Sequence, residues 1–123
     1  KGTPWIEVNK NCSTINAAAE AKDDDSVFNF YKKLIQLRKE YDIIAYGTFE
    51  PEAEKHPAVF AYKRCYREEK LLVVGNFYGM QTSWDAGEDL TDYVCLLGNY
   101  KQQIMKGGEI TLKPYETMIL YKK

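Results

Sequence analysis

Two hydrophobic periodicities divide this chain. In DDDSVFNFYKKLIQLRKEYD the apolar positions recur at helical spacing. On a wheel of about 100° per residue, Val27, Phe28, Phe30, Tyr31, Leu34, Ile35, Leu37 and Tyr41 fill one half, and Asn29, Lys32, Lys33, Gln36, Lys39 and Glu40 the other. The pattern predicts a helix over 26–41, with Asp25 or Ser26 as N-cap and Asp23 to Asp25 facing the positive end of its dipole. Its apolar arc spans about 180°, wider than the roughly 100° stripe needed to pack on one layer. Two packing partners are therefore expected for this helix, because full burial of the arc is worth more than about 10 kcal/mol, comparable to the stability of a domain. Arg38 lies near the middle of the arc, so it needs a carboxylate partner or a route to water.

From Ile43 onward the period shortens to two. The segments IIAYGTF, AVFAYKRCY, KLLVVGNF, TSWD, YVCLLGNY, EITL and TMILYK alternate or run apolar over strand lengths, between turns rich in Pro, Gly, Asp and Glu. REEK and KGGE read as hairpin connections, and Pro114 sits ahead of the last strand, where a missing N–H is tolerated. LLVV and MILY, apolar on both faces, are expected to be central strands. The order predicts a mainly β fold: an antiparallel β-sandwich, Greek-key-like, preceded by one amphipathic α-helix and an irregular N-terminal segment. Residues 1–25 show no sustained periodicity, with one short helical turn expected at the alanines. The expected division is 1–42 for the loop and helix, and 43–123 for the sandwich.

With 123 residues, 45% hydrophobic and 28% charged, the chain has the profile of a folded domain. Its 17 basic and 18 acidic residues are interspersed, so it has no field that would draw nucleic acid. No apolar run approaches the roughly 20 residues that span a bilayer, which argues against a membrane partner. Cys12, Cys65 and Cys95 are odd in number and widely spaced, arguing against a zinc site or a disulfide framework. They read as reduced, mostly buried thiols of a cytoplasmic protein. The opening KGTPWIEVN reads as an interior loop, so the chain is expected to begin at a boundary within a longer protein.

Candidate chemistry is sparse. His56, the sole histidine, sits in AEKHPAV without a nucleophile nearby and reads as a surface loop residue rather than a general base. Asp23 to Asp25 lack the alternating ligands and turn glycine of an EF-hand loop and read as helix capping. No phosphate loop, dinucleotide fingerprint, nucleophile elbow or zincin motif is present, and no metal or cofactor is expected. Aromatics make up 14% of the chain; Trp5, Trp84 and the tyrosines are candidates for stacking on sugar rings, set against ordinary cross-strand packing.

The run GTPWIEVNKNCSTIN, then DDDSVFNFYKKLIQLRKEYDIIAYGTFE, VFAYKR, LLVVGNF and LKPYETMILY, resembles the C-terminal end of bacterial α-glucosidases of glycoside hydrolase family 13. The group of oligo-1,6-glucosidases, dextran glucosidases and trehalose-6-phosphate hydrolases is the nearest in pattern. The resemblance covers essentially the whole chain. It implies that residues 26–41 form the last helix of a catalytic barrel, with Leu37-Arg38-Lys39 matching the family's Leu-Arg-Lys, and that a C-terminal sandwich follows. It also implies retaining hydrolysis by a paired Asp nucleophile and Glu acid/base with a further stabilising Asp, all upstream of Lys1, so that none is assigned here. The implied role is a non-catalytic domain that stabilises or shields the barrel, which would pack against Val27, Phe30, Tyr31 and Leu34. A carbohydrate-binding module holding α-gluco-oligosaccharide on exposed aromatics is the alternative. Without its barrel, the helix face is expected to self-associate or to leave residues 1 to about 25 poorly ordered. Lys10, Cys12 and Asp25 depart from the family pattern, which leaves the linkage preference open.

Overall fold

A computed structural model describes Gly2 and residues 5–123. It divides into two compact units, Lys1–Gln36 and Leu37–Lys123. In the first, α1 (Ala17–Glu20) is the short turn expected at the alanines, capped by Asn16, whose side chain accepts the Ala19 N–H at 3.0 Å. The long helix α2 (Val27–Glu40) begins here and continues across the division. Ser26 is its cap: Oγ accepts the Asn29 N–H at 3.2 Å and donates to the Glu20 carbonyl at 2.6 Å. Asn29, on the polar half of the wheel, is half-buried; its amide donates to the carbonyls of Asp23 at 2.8 Å and Glu20 at 3.1 Å. That amide ties the preceding loop to the first turn of the helix. No residue of α2 is buried, and Arg38 takes the route to water.

The second unit corrects one expectation. IIAYGTF does not form a strand: Asp42–Tyr46 is helix α3, and strand pairing starts after it, at the two-residue strand β1 (Glu50–Pro51). Tertiary contacts override the β-branched and aromatic composition. Ile43 is 0% exposed, and Arg64 donates from Nε to the Ile43 carbonyl at 3.0 Å and from Nη2 to the Gly47 carbonyl at 2.7 Å. One guanidinium thus satisfies two carbonyls at the end of a five-residue helix.

The remaining strands are β2 (Val59–Tyr66), β3 (Glu69–Asn76), β4 (Thr82–Asp85), β5 (Val94–Gly98), β6 (Ile104–Lys106), β7 (Glu109–Leu112) and β8 (Thr117–Lys122). They form a five-stranded antiparallel sheet in the order β1-β2-β3-β8-β5 and a three-stranded one in the order β4-β7-β6. The chain changes sheet repeatedly between β3 and β8, giving the sandwich. LLVV and MILY lie in β3 and β8, which are flanked on both sides as their pattern required. Inward positions two apart supply the core: Val59 and Ala61, Leu72 and Val74, Met118 and Leu120 from one sheet, Ile110 and Leu112 from the other. REEK and KGGE are both hairpin turns, pairing Tyr66 with Glu69 and Lys106 with Glu109. Gly108 has no room for a side chain, since a Cβ there would stand 2.6 Å from the Glu88 carbonyl oxygen.

Candidate functional site

Trp84 lies on β4, half-buried and packed against the core. It lines a shallow cavity of about 260 Å³ with Glu52, Ala53, Glu54, Lys55 and His56. His56 is already engaged on both ring nitrogens. Nδ1 accepts the N–H groups of Val59 at 2.9 Å and Ala58 at 3.2 Å, so Nε2 carries the proton and meets the Ser83 carbonyl at 3.2 Å. The imidazole is a latch between the turn before β2 and strand β4, not a free base. Trp5 belongs to the first unit and is 94% exposed. The two tryptophans therefore belong to separate units.

A charged cluster closes one end of the sandwich. Lys63 Nζ lies 2.7 Å from Glu88 and 3.2 Å from Glu52, Lys70 reaches Glu88 at 3.4 Å, and the Tyr93 hydroxyl donates to Glu88 at 3.2 Å. Burial alone would lower the Lys63 pKa and raise that of Glu88. Their mutual hydrogen bond and opposite charges outweigh it, so Lys63 is held above the usual lysine range and Glu88 below the usual carboxylate range. Burial and the Glu88 carboxylate beside it push the Tyr93 hydroxyl upward. On β8, burial and the hydrogen bond it donates to Glu69 at 2.8 Å push the Tyr121 hydroxyl up to about 12. Lys63, Lys70, Glu52 and Glu88 neutralise one another and tie the segments bearing the two glutamates to β2 and β3.

Asp23 accepts the Asp25 N–H through Oδ1 at 3.0 Å, as loop capping requires. Among the described residues no group of His, Cys, Asp or Glu is arranged to hold a metal ion. Cys65 and Cys95 are half-buried, and burial raises the Cys95 thiol pKa. Cys12 is exposed, contrary to the expectation of mostly buried thiols, because it sits in a run of exposed turns. Among the described residues, no helix is long and apolar enough to cross a membrane.

What the fold does present is apolar surface. On α2, Val27, Phe28, Tyr31 and Ile35 are exposed and line a groove of about 500 Å³ with Lys32, whereas Phe30 and Leu34 are half-buried. On the outer face of the five-stranded sheet, ring centroids are spaced 5.0 Å for Phe49 and Tyr62, 5.8 Å for Phe60 and Tyr62, and 6.2 Å for Phe60 and Phe77. This second surface was missed because strand aromatics are usually explained by packing; the placement of Phe60 and Tyr62 two residues apart was the available signal.

Residues 1–47 match the family described as the catalytic domain of alpha amylase, and residues 59–119 match the C-terminal domain of alpha-amylase SusG. The chain is 42% identical to an oligo-1,6-glucosidase of Halalkalibacterium halodurans, over 99% of this chain and 22% of that protein. It superposes on a crystal structure of Bacillus licheniformis trehalose-6-phosphate hydrolase with a TM-score of 0.88 at 38% identity, over 99% of this chain and 23% of the other. The isomaltulose synthase of Klebsiella sp. LX3 gives a TM-score of 0.86 at 29% identity, over 98% and 22%. The chain thus spans under a quarter of the length of these proteins.

Proposed function

We infer, since this chain belongs to glycoside hydrolase family 13 and corresponds to the C-terminal region of its α-glucosidases, that it serves a longer α-glucosidase as a non-catalytic domain supporting the barrel. The observation that carries this reading is chemical. Retaining hydrolysis needs two carboxylates about 5–5.5 Å apart across the scissile bond, one of them free to act as acid. Glu52 and Glu88, the carboxylates this fold brings to one point, are both ion-paired to Lys63. The same region also accompanies proteins named as a hydrolase and as a synthase, which supports a role that does not choose the reaction.

On this reading the nucleophile, the acid/base and the stabilising Asp come from the preceding barrel, which acts on α-linked gluco-oligosaccharides. The barrel packs on the α2 face that includes Val27, Phe30, Tyr31 and Leu34, a helix on which Val27, Phe28, Tyr31 and Ile35 are exposed. A cytoplasmic location belongs to the same reading, supported by three free thiols of which Cys12 is exposed. Incubating the 123-residue chain with a chromogenic α-glucoside is expected to give no release above buffer, while the complete polypeptide releases chromophore. Turnover by the chain alone, or none by the complete polypeptide across a panel of α-linked substrates, overturns the proposal.

A further inference from the structure

The cavity beside Trp84 is lined wholly by residues of the second unit. Trp84 packs on the core and also lines this cavity. Its indole N–H has no hydrogen-bond partner among the described residues, where Glu116 Oε1 is the one buried side-chain polar atom left unpaired; the N–H therefore reaches solvent. Glu54 and Lys55 are exposed on the cavity rim and likewise have no partner among the described residues. A donor on the indole, a carboxylate and an ammonium thus meet at one hollow with their hydrogen-bonding capacity unspent.

The backbone that presents them is fixed. The His56 N–H donates to the Ala53 carbonyl at 2.9 Å, closing a turn with Glu54 and Lys55 at its centre. Ala53 is buried at one end of that turn, and at the other His56 latches onto the carbonyl of Ser83, the residue before Trp84. The two charged side chains are therefore held next to β4 by bonds they do not make themselves, so a ligand would not have to order the loop.

The lining narrows the ligand. Glu54 and Lys55 carry opposite charges side by side, and Glu52 is neutralised by Lys63, so the hollow favours a neutral molecule over an ion. A neutral ligand that lays an apolar face on an indole and offers hydroxyls to a carboxylate, an ammonium and an N–H is a sugar. At about 260 Å³ the cavity lies just under the roughly 300 Å³ of sites for drug-sized molecules, which suits one sugar unit of a chain whose remainder stays outside.

We propose that Trp84 and the turn at 53–56 form a binding site, separate from the catalytic barrel, for one unit of an α-linked gluco-oligosaccharide. The choice of α-linked glucose rests on the reading of this chain as the C-terminal region of an α-glucosidase. Such a site would keep oligosaccharide on the protein while the barrel works on it.

Nuclear magnetic resonance of the nitrogen-15-labelled 123-residue chain tests it. Two tryptophans give two indole N–H signals, and Trp84→Phe identifies that of Trp84. Titration with maltotriose and with isomaltotriose is expected to move the Trp84 signal saturably, with half-saturation at millimolar sugar, and to leave that of Trp5 in place. Glu54→Ala/Lys55→Ala, a change at two exposed positions, should melt as the parent does and bind about tenfold more weakly through lost charged hydrogen bonds. A Trp84 signal that stays still up to the solubility of both sugars, equal movement with mannitol, preference for β-linked cellotriose, or undiminished binding by the double variant would each refute the site. Chromophore release by the complete polypeptide is read separately: release without sugar binding here removes the site and leaves the α-glucosidase reading, whereas binding without release sinks that reading and keeps the site.

Discussion

Lys63 shows what a single inward charge does in this sandwich. It follows Val59 and Ala61 at alternate positions of β2, so the pleat points it toward the interior side, where only an ion pair makes a cation tolerable. Glu52 and Glu88 provide that pairing with side chains about three-quarters removed from solvent, 25% and 24% exposed. Lys63→Met strips the shared cation from two carboxylates, and we expect a loss of about 1–2 kcal/mol at neutral pH in urea unfolding. The pH dependence has a definite sign. Glu88 titrates below the ordinary range when folded, so its contribution is present above the unfolded value and fades as pH falls through the folded one. Lys63 titrates above its ordinary range, so its contribution holds through neutral pH and fades only in strong alkali. The difference between parent and variant should therefore shrink on acidification, and a difference independent of pH would contradict the assignment. The inward place of Lys63 was legible in the alternation of VFAYKRC. Its partners, 11 and 25 residues distant, were not, just as the His56 latch depends on a Ser83 carbonyl 27 residues away.

Among the elements, those with long, regular patterns emerged where expected and those settled by tertiary contact did not. Helix α2, the hairpins at REEK and KGGE, and the central strands at LLVV and MILY all follow from periodicity and turn chemistry. Strand β6 is three residues long, too short to show a period. Helix α3 has strand-like composition, and its helical state depends on Arg64, 21 residues after Ile43. The planar guanidinium reaches two carbonyls at once, which a lysine ammonium on one flexible stem does not reproduce. Arg64→Lys should therefore cost about 1–2 kcal/mol, for one half-buried carbonyl left unpaired. Amide exchange at Gly47, whose N–H donates to Ile43 at 3.0 Å, should quicken more than exchange in β3. Uniform quickening across the sheet would show that Arg64 supports the sandwich as a whole rather than α3.

At the scale of the whole molecule, two apolar surfaces are exposed, and they differ in how far the sequence disclosed them. The α2 face was legible as an arc too wide for one partner; its exposed part, Val27, Phe28, Tyr31 and Ile35, is set by which side chains the surrounding chain leaves open. The aromatic sheet face was hidden, because the composition of a strand does not say which of its aromatics stay on the outer face. If the α2 stripe is the stronger of the two, the 123-residue chain in isolation should associate through it. A groove of about 500 Å³ with almost wholly apolar walls favours a second copy of the same helix over water. Sedimentation over a rising concentration series should then show reversible self-association. Ile35→Lys, a change at a 51% exposed position of a helix without buried residues, should abolish it and leave the melting midpoint unchanged. Phe60→Ser should leave the association in place, since Phe60 lies outside the α2 groove. Loss of association with Phe60→Ser and its persistence with Ile35→Lys would reverse the assignment of the two faces.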